Sequence, residues 1–373
     1  MVVVMGWLCL QMLPIGRWLP DALSAIPLVG GNATTISLDP GSTRLTLLNF
    51  ATYALLFLLF AQVSADRRRA RGMLLSLFLV ISGFAVYGLV SLVQFGDTLL
   101  GFEKLYYLGS ATGTFINRNS FATFLASGLA MGVPLLLDSF GRSQGGRPAR
   151  SWIRQVLVLM GLLFIAATLL ATNSRMGAIA GFAGAIVGFA LSIRRVESSR
   201  ARLWFGLAAV AAIGLVAFVY GAGTLQRLIF TDEDAGRGEL YRQVWGTILQ
   251  RPWTGYGGGS FATVFPLFQH PPLAGDTIWD KAHSTYLALW FEMGLVVGTL
   301  PLMVVFALFL RSTRGLWDAS SRMNSAATIG VTVVFAIHSL VDFSAEIMAN
   351  AFLFTAVLAL GAARTGKSRA GER

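Results

Sequence analysis

Apolar runs long enough to cross a bilayer recur at about 45–63, 73–94, 119–138, 155–172, 176–193, 203–221, 284–311, 325–342 and 347–364. A chain written this way is an all-α polytopic membrane bundle. With 55% hydrophobic and 13% charged residues it lies far from the soluble globular norm. A further run, Met1–Leu13, covers only roughly 20 Å of a hydrocarbon core about 30 Å thick, so a clipped or thin helix is expected there. That run either continues through Trp18 and Leu19, despite Pro14 and Arg17, or is preceded by chain upstream. No cleavable signal peptide is expected, because these residues carry no basic segment. The total comes to about ten spans in one integral membrane domain, 1–373.

Sidedness follows from the loops. Arg67, Arg68, Arg69 and Arg71 fall on one side, with Arg142, Arg147, Arg150 and Arg154, then Arg194, Arg195, Arg200 and Arg202. Arg311, Arg314 and Arg322 join them, as do Arg364, Lys367, Arg369 and Arg373 at the C-terminus. This face holds 19 of the 29 basic residues, and the positive-inside rule makes it cytoplasmic. The net charge of +11 is therefore spread over short loops, which argues against nucleic acid as a partner. The one cysteine, Cys9, permits no intramolecular disulfide and no thiolate metal cluster. Gly361 through Gly366-Lys367-Ser368 fits the spacing of a phosphate loop, but it straddles the end of the last span with no strand before it, so no nucleotide site is expected.

The opposite face receives one long polar excursion, 224–283, holding two of the three histidines. Asp234 can cap a helix starting near Gly236, on which Tyr241, Val244, Trp245 and Ile248 form an apolar stripe. Arg251-Pro252 ends it, and the glycines from Gly255 to Gly259 let the backbone turn tightly. Trp279 is expected to anchor the return at the interface. Asp232, Glu233 and Asp234 are three consecutive acids that cannot easily face one ion, so a solvated turn is expected and no metal site.

Among outer basic residues, Arg17, Arg44 and Lys104 read as headgroup anchors or solvated charges. Arg175 differs, because it occupies a turn of about three residues between two spans, where a charge is costly unless paired or facing a wet cavity. Arg237 and Arg242 lie five apart on the loop helix and cannot point the same way, and a guanidinium fork suits a phosphate or diphosphate. His283 begins a span close after Lys281, and a histidine at the mouth of a bundle is suited to act as a general base or to serve as a satisfied structural residue. His270 reads as a loop residue. His338 and Asp342, four apart, are expected to share a helix face as an intramembrane hydrogen-bonded pair. Glu292 is expected to face away from His283 and be buried with a partner. Asn117 and Asn119, around Arg118 at a span entry, suit either a cap or a polar cavity.

Taken in order, Gly113-Thr-Phe-Ile-Asn117-Arg-Asn119-Ser-Phe-Ala122, Asn173-Ser174-Arg175-Met-Gly177, Gly236-Arg237 with Pro252-Trp-Thr-Gly255-Tyr-Gly257, His283-Ser284 with Glu292 and Gly294, and His338-Ser-Leu-Val-Asp342-Phe343 resemble the O-antigen ligase and polymerase family of bacterial envelope glycosyltransferases. The likeness runs from about Leu38 to Ala363. In the ligase pattern His283, Ser284 and Gly294 fit, whereas the last position is Val297, with Gly298 one place later. The resemblance implies a GT-C-like bundle in the bacterial inner membrane, its site facing the periplasm. It implies transfer of a glycan from undecaprenyl diphosphate to a sugar hydroxyl, on lipid A-core or a growing polysaccharide, without cofactor or metal. Carried across, the catalytic roles fall on His283, Arg175 and Arg237, with Arg242, Arg118, Asn117, Asn119 and Lys281 toward substrate and His338, Asp342 and Glu292 in support. Protein glycosylation is a further option within the class. A lipid-linked glycan transporter is the rival, disfavoured by the absence of an internal repeat and of broken spans in matching positions.

Overall fold

The computed structural model describes residues 1–15, 18, 25–26, 31–32, 34–142, 148–193, 232–273 and 279–363. Its helices are α1 Val2–Gln11, α2 Pro40–Ser64, α3 Arg67–Val93, α4 Arg118–Arg142, α5 Pro148–Ala171, α6 Arg175–Ser192, α7 Asp232–Gln250, α8 Phe261–Val264, α9 Thr285–Arg314, α10 Arg322–His338 and α11 Met348–Ala362. Among the described residues, six helices are long and apolar enough to cross a membrane, and α1 and α11 are shorter apolar helices. The chain is thus an all-α multi-pass membrane protein. The expected span at 203–221 lies outside the described residues, as do residues 364–368 of the phosphate-loop string; Gly361 belongs to α11.

Several helices begin earlier than the apolar runs, α2, α3 and α5 by five to seven residues. Asp66 caps α3 by accepting from Arg69 N at 2.9 Å, so the arginines read as a loop form its first turn. Apolar periodicity marks entry into hydrocarbon, whereas the backbone helix starts at its cap. The loop helix likewise starts at Asp232, ahead of the expected cap at Asp234.

The chain forms two compact units: Met1–Leu55 with Arg227–Phe306 and Ser339–Phe343, and Leu56–Gln226 with Ala307–His338 and Ser344–Arg373. In the larger unit α4 is central, with 94% of its apolar window buried against 28% for α3 and for α5. Phe78, Ile81, Leu125, Met131 and Leu135 fill the core around it. Helices α6 and α10 touch through their backbones at Gly184 and Gly330, where a Cβ on either would lie 2.6 or 2.7 Å from the other's carbonyl oxygen. Such close approach is how helices associate where no hydrophobic drive separates lipid from protein. A buried Arg71–Asp138 pair, 2.8 Å between Nη2 and Oδ2, joins α3 to α4.

Between α3 and α4 the loop folds into a two-residue hairpin, β1 Thr98–Leu99 against β2 Phe102–Glu103, which the sequence did not foretell. Lys104 is no solvated anchor: its ammonium is buried against Asp97, the side chains 5% and 16% exposed. His338 and Asp342 do not share a helix face either. α10 ends at His338, and Asp342 lies beyond it in the turn, because Leu340, Val341 and Phe343 extend the hydropathy without continuing the helix. His338 is buried and bonds Thr123 Oγ1 on α4 through Nδ1.

In the smaller unit α9 is broken. Gly294 adopts φ 77°, ψ 167°, and the chain bends so sharply that a Cβ at Gly298 would sit 2.4 Å from the Leu289 carbonyl. Nine residues of unbroken helix would hold those positions roughly 13 Å apart. The span expected at 284–311 is therefore a short segment from Thr285 followed by Leu295–Arg314, about 30 Å and long enough to cross alone.

Candidate active site

The smaller unit builds its site on α7. Leu240, Val244 and Ile248, one turn apart, bury themselves with Tyr256, Phe261, Phe265 and Phe291. The inward stripe is thus 240/244/248 rather than 241/244/245/248, and Trp245 sits on the rim, edge-on to Trp290 at 6.1 Å. Arg251 is buried with its guanidinium over the Tyr256 ring, 4.9 Å to the centroid. Burial lowers the Arg251 pKa and raises that of Tyr256 to about 12.

Pro252 to Gly257 then closes the break in α9. Interrupting a helix orphans carbonyls and amides. Here Tyr256 N donates to Phe291 O at 3.0 Å, Gly257 N to Glu292 O at 2.9 Å, and Leu295 N to Pro252 O at 2.7 Å. Gly255 packs so tightly that a Cβ would meet Glu292 O at 2.5 Å. Gln11, fully buried at the end of α1, completes the seam: Nε2 donates to both Thr254 O and Glu292 O at 2.9 Å, and Oε1 accepts from Gly258 N at 3.2 Å. Glu292 thereby contributes its carbonyl, its side chain being half-buried. Gln11 escaped the sequence reading, since a glutamine closing an apolar run carries no signal of partners so distant in the chain.

His283 stands just before α9, with Ala282 and Ser284 buried on either side. Its φ of 49° is rare for a residue with a Cβ. The imidazole lies edge-on between Trp279, 5.5 Å at 86°, and Phe343, 5.3 Å at 76°. Its carbonyl accepts from Tyr241 Oη at 2.9 Å, which ties it to α7. The segment 339–343 holds the other side, since Ser339 O accepts from Thr285 N at 3.1 Å and Asp342 O from Thr285 Oγ1 at 3.4 Å. His283 Nδ1 and Trp279 Nε1 are both buried, with no hydrogen-bond partner among the described residues. Burial lowers the His283 pKa, and the Arg237 charge lowers it further, against the opposing pull of Asp342 and Asp280.

The structure thus gathers His283, Arg237, Lys281 and Asp342, with Trp279, Tyr241 and Phe343, around one imidazole. Lys281 Nζ lies 5.8 Å above the Phe343 ring. Arg242 is exposed and gives its fork to Glu239, at 2.8 Å through Nε and 2.5 Å through Nη2, which draws that carboxylate down to about 2. His270 is a loop residue as expected, its backbone held by Gln243.

In the larger unit Arg175 is half-buried and opens α6, capped by Ser174 Oγ accepting from Gly177 N at 3.3 Å. Asn117 caps α4, its Oδ1 accepting from Asn119 N at 2.7 Å and Ser120 N at 3.3 Å. Arg118 lies over the Tyr107 ring at 5.4 Å, its Nε buried with no hydrogen-bond partner among the described residues, and Asn119 is half-buried beside it.

Residues 160–302 match the sequence model of the O-antigen ligase family. Over that stretch the chain is similar to an O-antigen ligase domain. The stretch takes in Arg175, Arg237, Arg242, Lys281, His283 and Glu292, together with the whole seam between Pro252 and Leu295. Asn117, Arg118, Asn119, His338 and Asp342 lie outside the matched stretch. The O-antigen ligase family is a glycosyltransferase-type enzyme family, so the chain is a multi-pass membrane enzyme of that type. No curated protein matches it.

Proposed function

We propose that the chain moves a glycan from undecaprenyl diphosphate to a sugar hydroxyl at the periplasmic face of the bacterial inner membrane, inverting the anomeric centre without a metal. The observation carrying this reading is His283, an imidazole held toward its neutral form beside the Arg237 charge, within the stretch similar to an O-antigen ligase domain. A neutral imidazole accepts the proton of the acceptor hydroxyl as that oxygen attacks the anomeric carbon. The bond from that carbon to the diphosphate oxygen breaks, and its electron pair leaves with the diphosphate. Arg175 and Arg237 take up that charge, which is why the step requires no metal. One displacement inverts. Arg242, Lys281, Arg118, Asn117 and Asn119 are assigned to the substrates, and Asp342, His338 and Glu292 to support. The whole of 1–373 is read as one membrane domain, with 224–283 as its periplasmic loop.

The acceptor is lipid A-core or a growing polysaccharide; a protein hydroxyl meets the same chemistry. The break at Gly294 is a feature that would suit a transporter, whose ion sites use unwound helix carbonyls. Here Phe291 O and Glu292 O already accept hydrogen bonds from Tyr256, Gly257 and Gln11. The test is His283→Ala with purified donor and acceptor: transfer should be abolished, and full activity would refute the base. Arg175→Ala and Arg237→Ala should each weaken donor binding, while EDTA leaves the wild-type rate unchanged. Donor left intact on the outer side of sealed vesicles would mark a transporter.

A further inference from the structure

The loop between α3 and α4 exposes apolar side chains over a buried Lys104–Asp97 pair, with Glu103 as its exposed charge, unlike an ordinary solvated loop. Leu100, Phe102, Leu105, Tyr106, Leu108 and Ile116 are between 61 and 83% exposed. Beneath them Lys104 and Asp97 pair in the interior, Asp97 Oδ2 accepts from Gly109 N at 2.7 Å, and Lys104 Nζ donates to Ser110 O at 2.8 Å. Asp97, Leu100 and Tyr107 all hold positive φ, at 57°, 52° and 59°, strain that persists only where the surroundings over-determine it. An apolar patch presented this rigidly marks an interaction surface. Its occupant follows from continuity: Val86, Val90 and Val93 form an exposed stripe along the last turns of the membrane-spanning helix α3, and Phe95 carries that stripe into the loop. The same loop is fastened to the turn before Arg175. Asn173 Nδ2 donates to Gly109 O at 3.2 Å and Ser110 Oγ at 3.0 Å, and Ala111 N donates to Ala171 O at 2.8 Å.

We propose that residues 95–116 are a platform seated in the phospholipid leaflet on their side of the membrane, and that its depth fixes the level of the turn carrying Arg175. This rests in part on the reading above, in which Arg175 meets the diphosphate of a lipid-borne substrate at headgroup level. A tyrosine with its ring among apolar neighbours suits that boundary, and pairing neutralises Lys104 and Asp97 beneath the apolar side chains.

The experiment uses the full chain in phosphatidylethanolamine/phosphatidylglycerol nanodiscs, with Cys9→Ser removing the native thiol. Single nitroxide labels at positions 102, 105 and 108 are compared with a label at Val90 for accessibility to oxygen and to a water-soluble nickel complex. Oxygen should be favoured at all three, as at Val90. Nickel favoured there, or exclusion of both reagents by a covering protein or second copy, overturns the proposal. With a label at Ile179 on the first turns of α6, adding Leu105→Asp and Phe102→Asp should shift that site toward nickel, and an unmoved label also overturns it. Neither readout involves glycan transfer, so failure here and failure of the catalytic assignment are separable.

Discussion

Gln11 Nε2 lies 2.9 Å from the Glu292 carbonyl oxygen, spanning the break that separates the short helix after His283 from the span that follows. Gln11→Ala would take the side-chain partner from the Thr254 carbonyl and the Gly258 amide, and leave Glu292 O to the Gly257 amide alone, at about 1–3 kcal/mol for each group left unsatisfied. We predict a lower unfolding midpoint in nanodiscs and faster proteolysis near Thr254. Gln11→Glu should be worse, because a carboxylate oxygen would face carbonyls that need a donor. Wild-type stability in both would show that the seam does not depend on this residue.

His283 is depressed below its ordinary value by burial and by Arg237. In the unfolded chain it takes a proton near pH 6.5, in the folded chain only at lower pH. Folding stability from this group is therefore full above pH 6.5 and declines as pH falls from there through the lowered folded pKa. The acid limb of the transfer rate should lie below pH 6.5. In Arg237→Gln the imidazole should titrate higher, and in Asp342→Asn lower. Histidine NMR or the pH dependence of diethyl pyrocarbonate modification reads both shifts, and identical titrations in all three proteins would rule out this electrostatic coupling.

Gly294→Ala forces a side chain onto φ 77°, with its Cβ 2.5 Å from the Trp253 carbonyl. Strain at such a position costs on the order of 1–3 kcal/mol, and the clash adds to it. The variant should lose the bend, and with it the transfer activity, while still inserting into membrane. An active, normally stable protein would contradict the broken helix.

Arg71 and Asp138 form a buried pair in the larger unit. Removing one partner leaves a buried charge, typically about 3–5 kcal/mol. Arg71→Met should destabilise strongly, and adding Asp138→Leu should restore much of the loss. A thermal midpoint in the double variant no better than in the single one would refute the pairing.

The long apolar helices were legible because hydrocarbon leaves a long apolar signature; Arg237 and His283 could be singled out because charge and imidazole stand out against it, and the structure brings the Arg237 charge to bear on that imidazole. The bend at Gly294 was not, since a glycine inside an apolar run reads as ordinary helix; its conformation is imposed by the docking of Pro252 to Gly257. Gln11 was hidden for the same reason, its partners lying 243 and 281 positions away. Lys104 was misread because composition reports a charge and not its counterion. Asp342 was misplaced because hydropathy continues past His338, where the helix does not.

The hydrogen bonds that close the break each join an earlier segment of the chain to the later one. Gln11, Pro252, Tyr256 and Gly257 are all made before Phe291, Glu292 and Leu295 leave the ribosome. The interrupted helix therefore meets its partners already synthesised as it emerges, and this seam can close during biogenesis without waiting for the last spans.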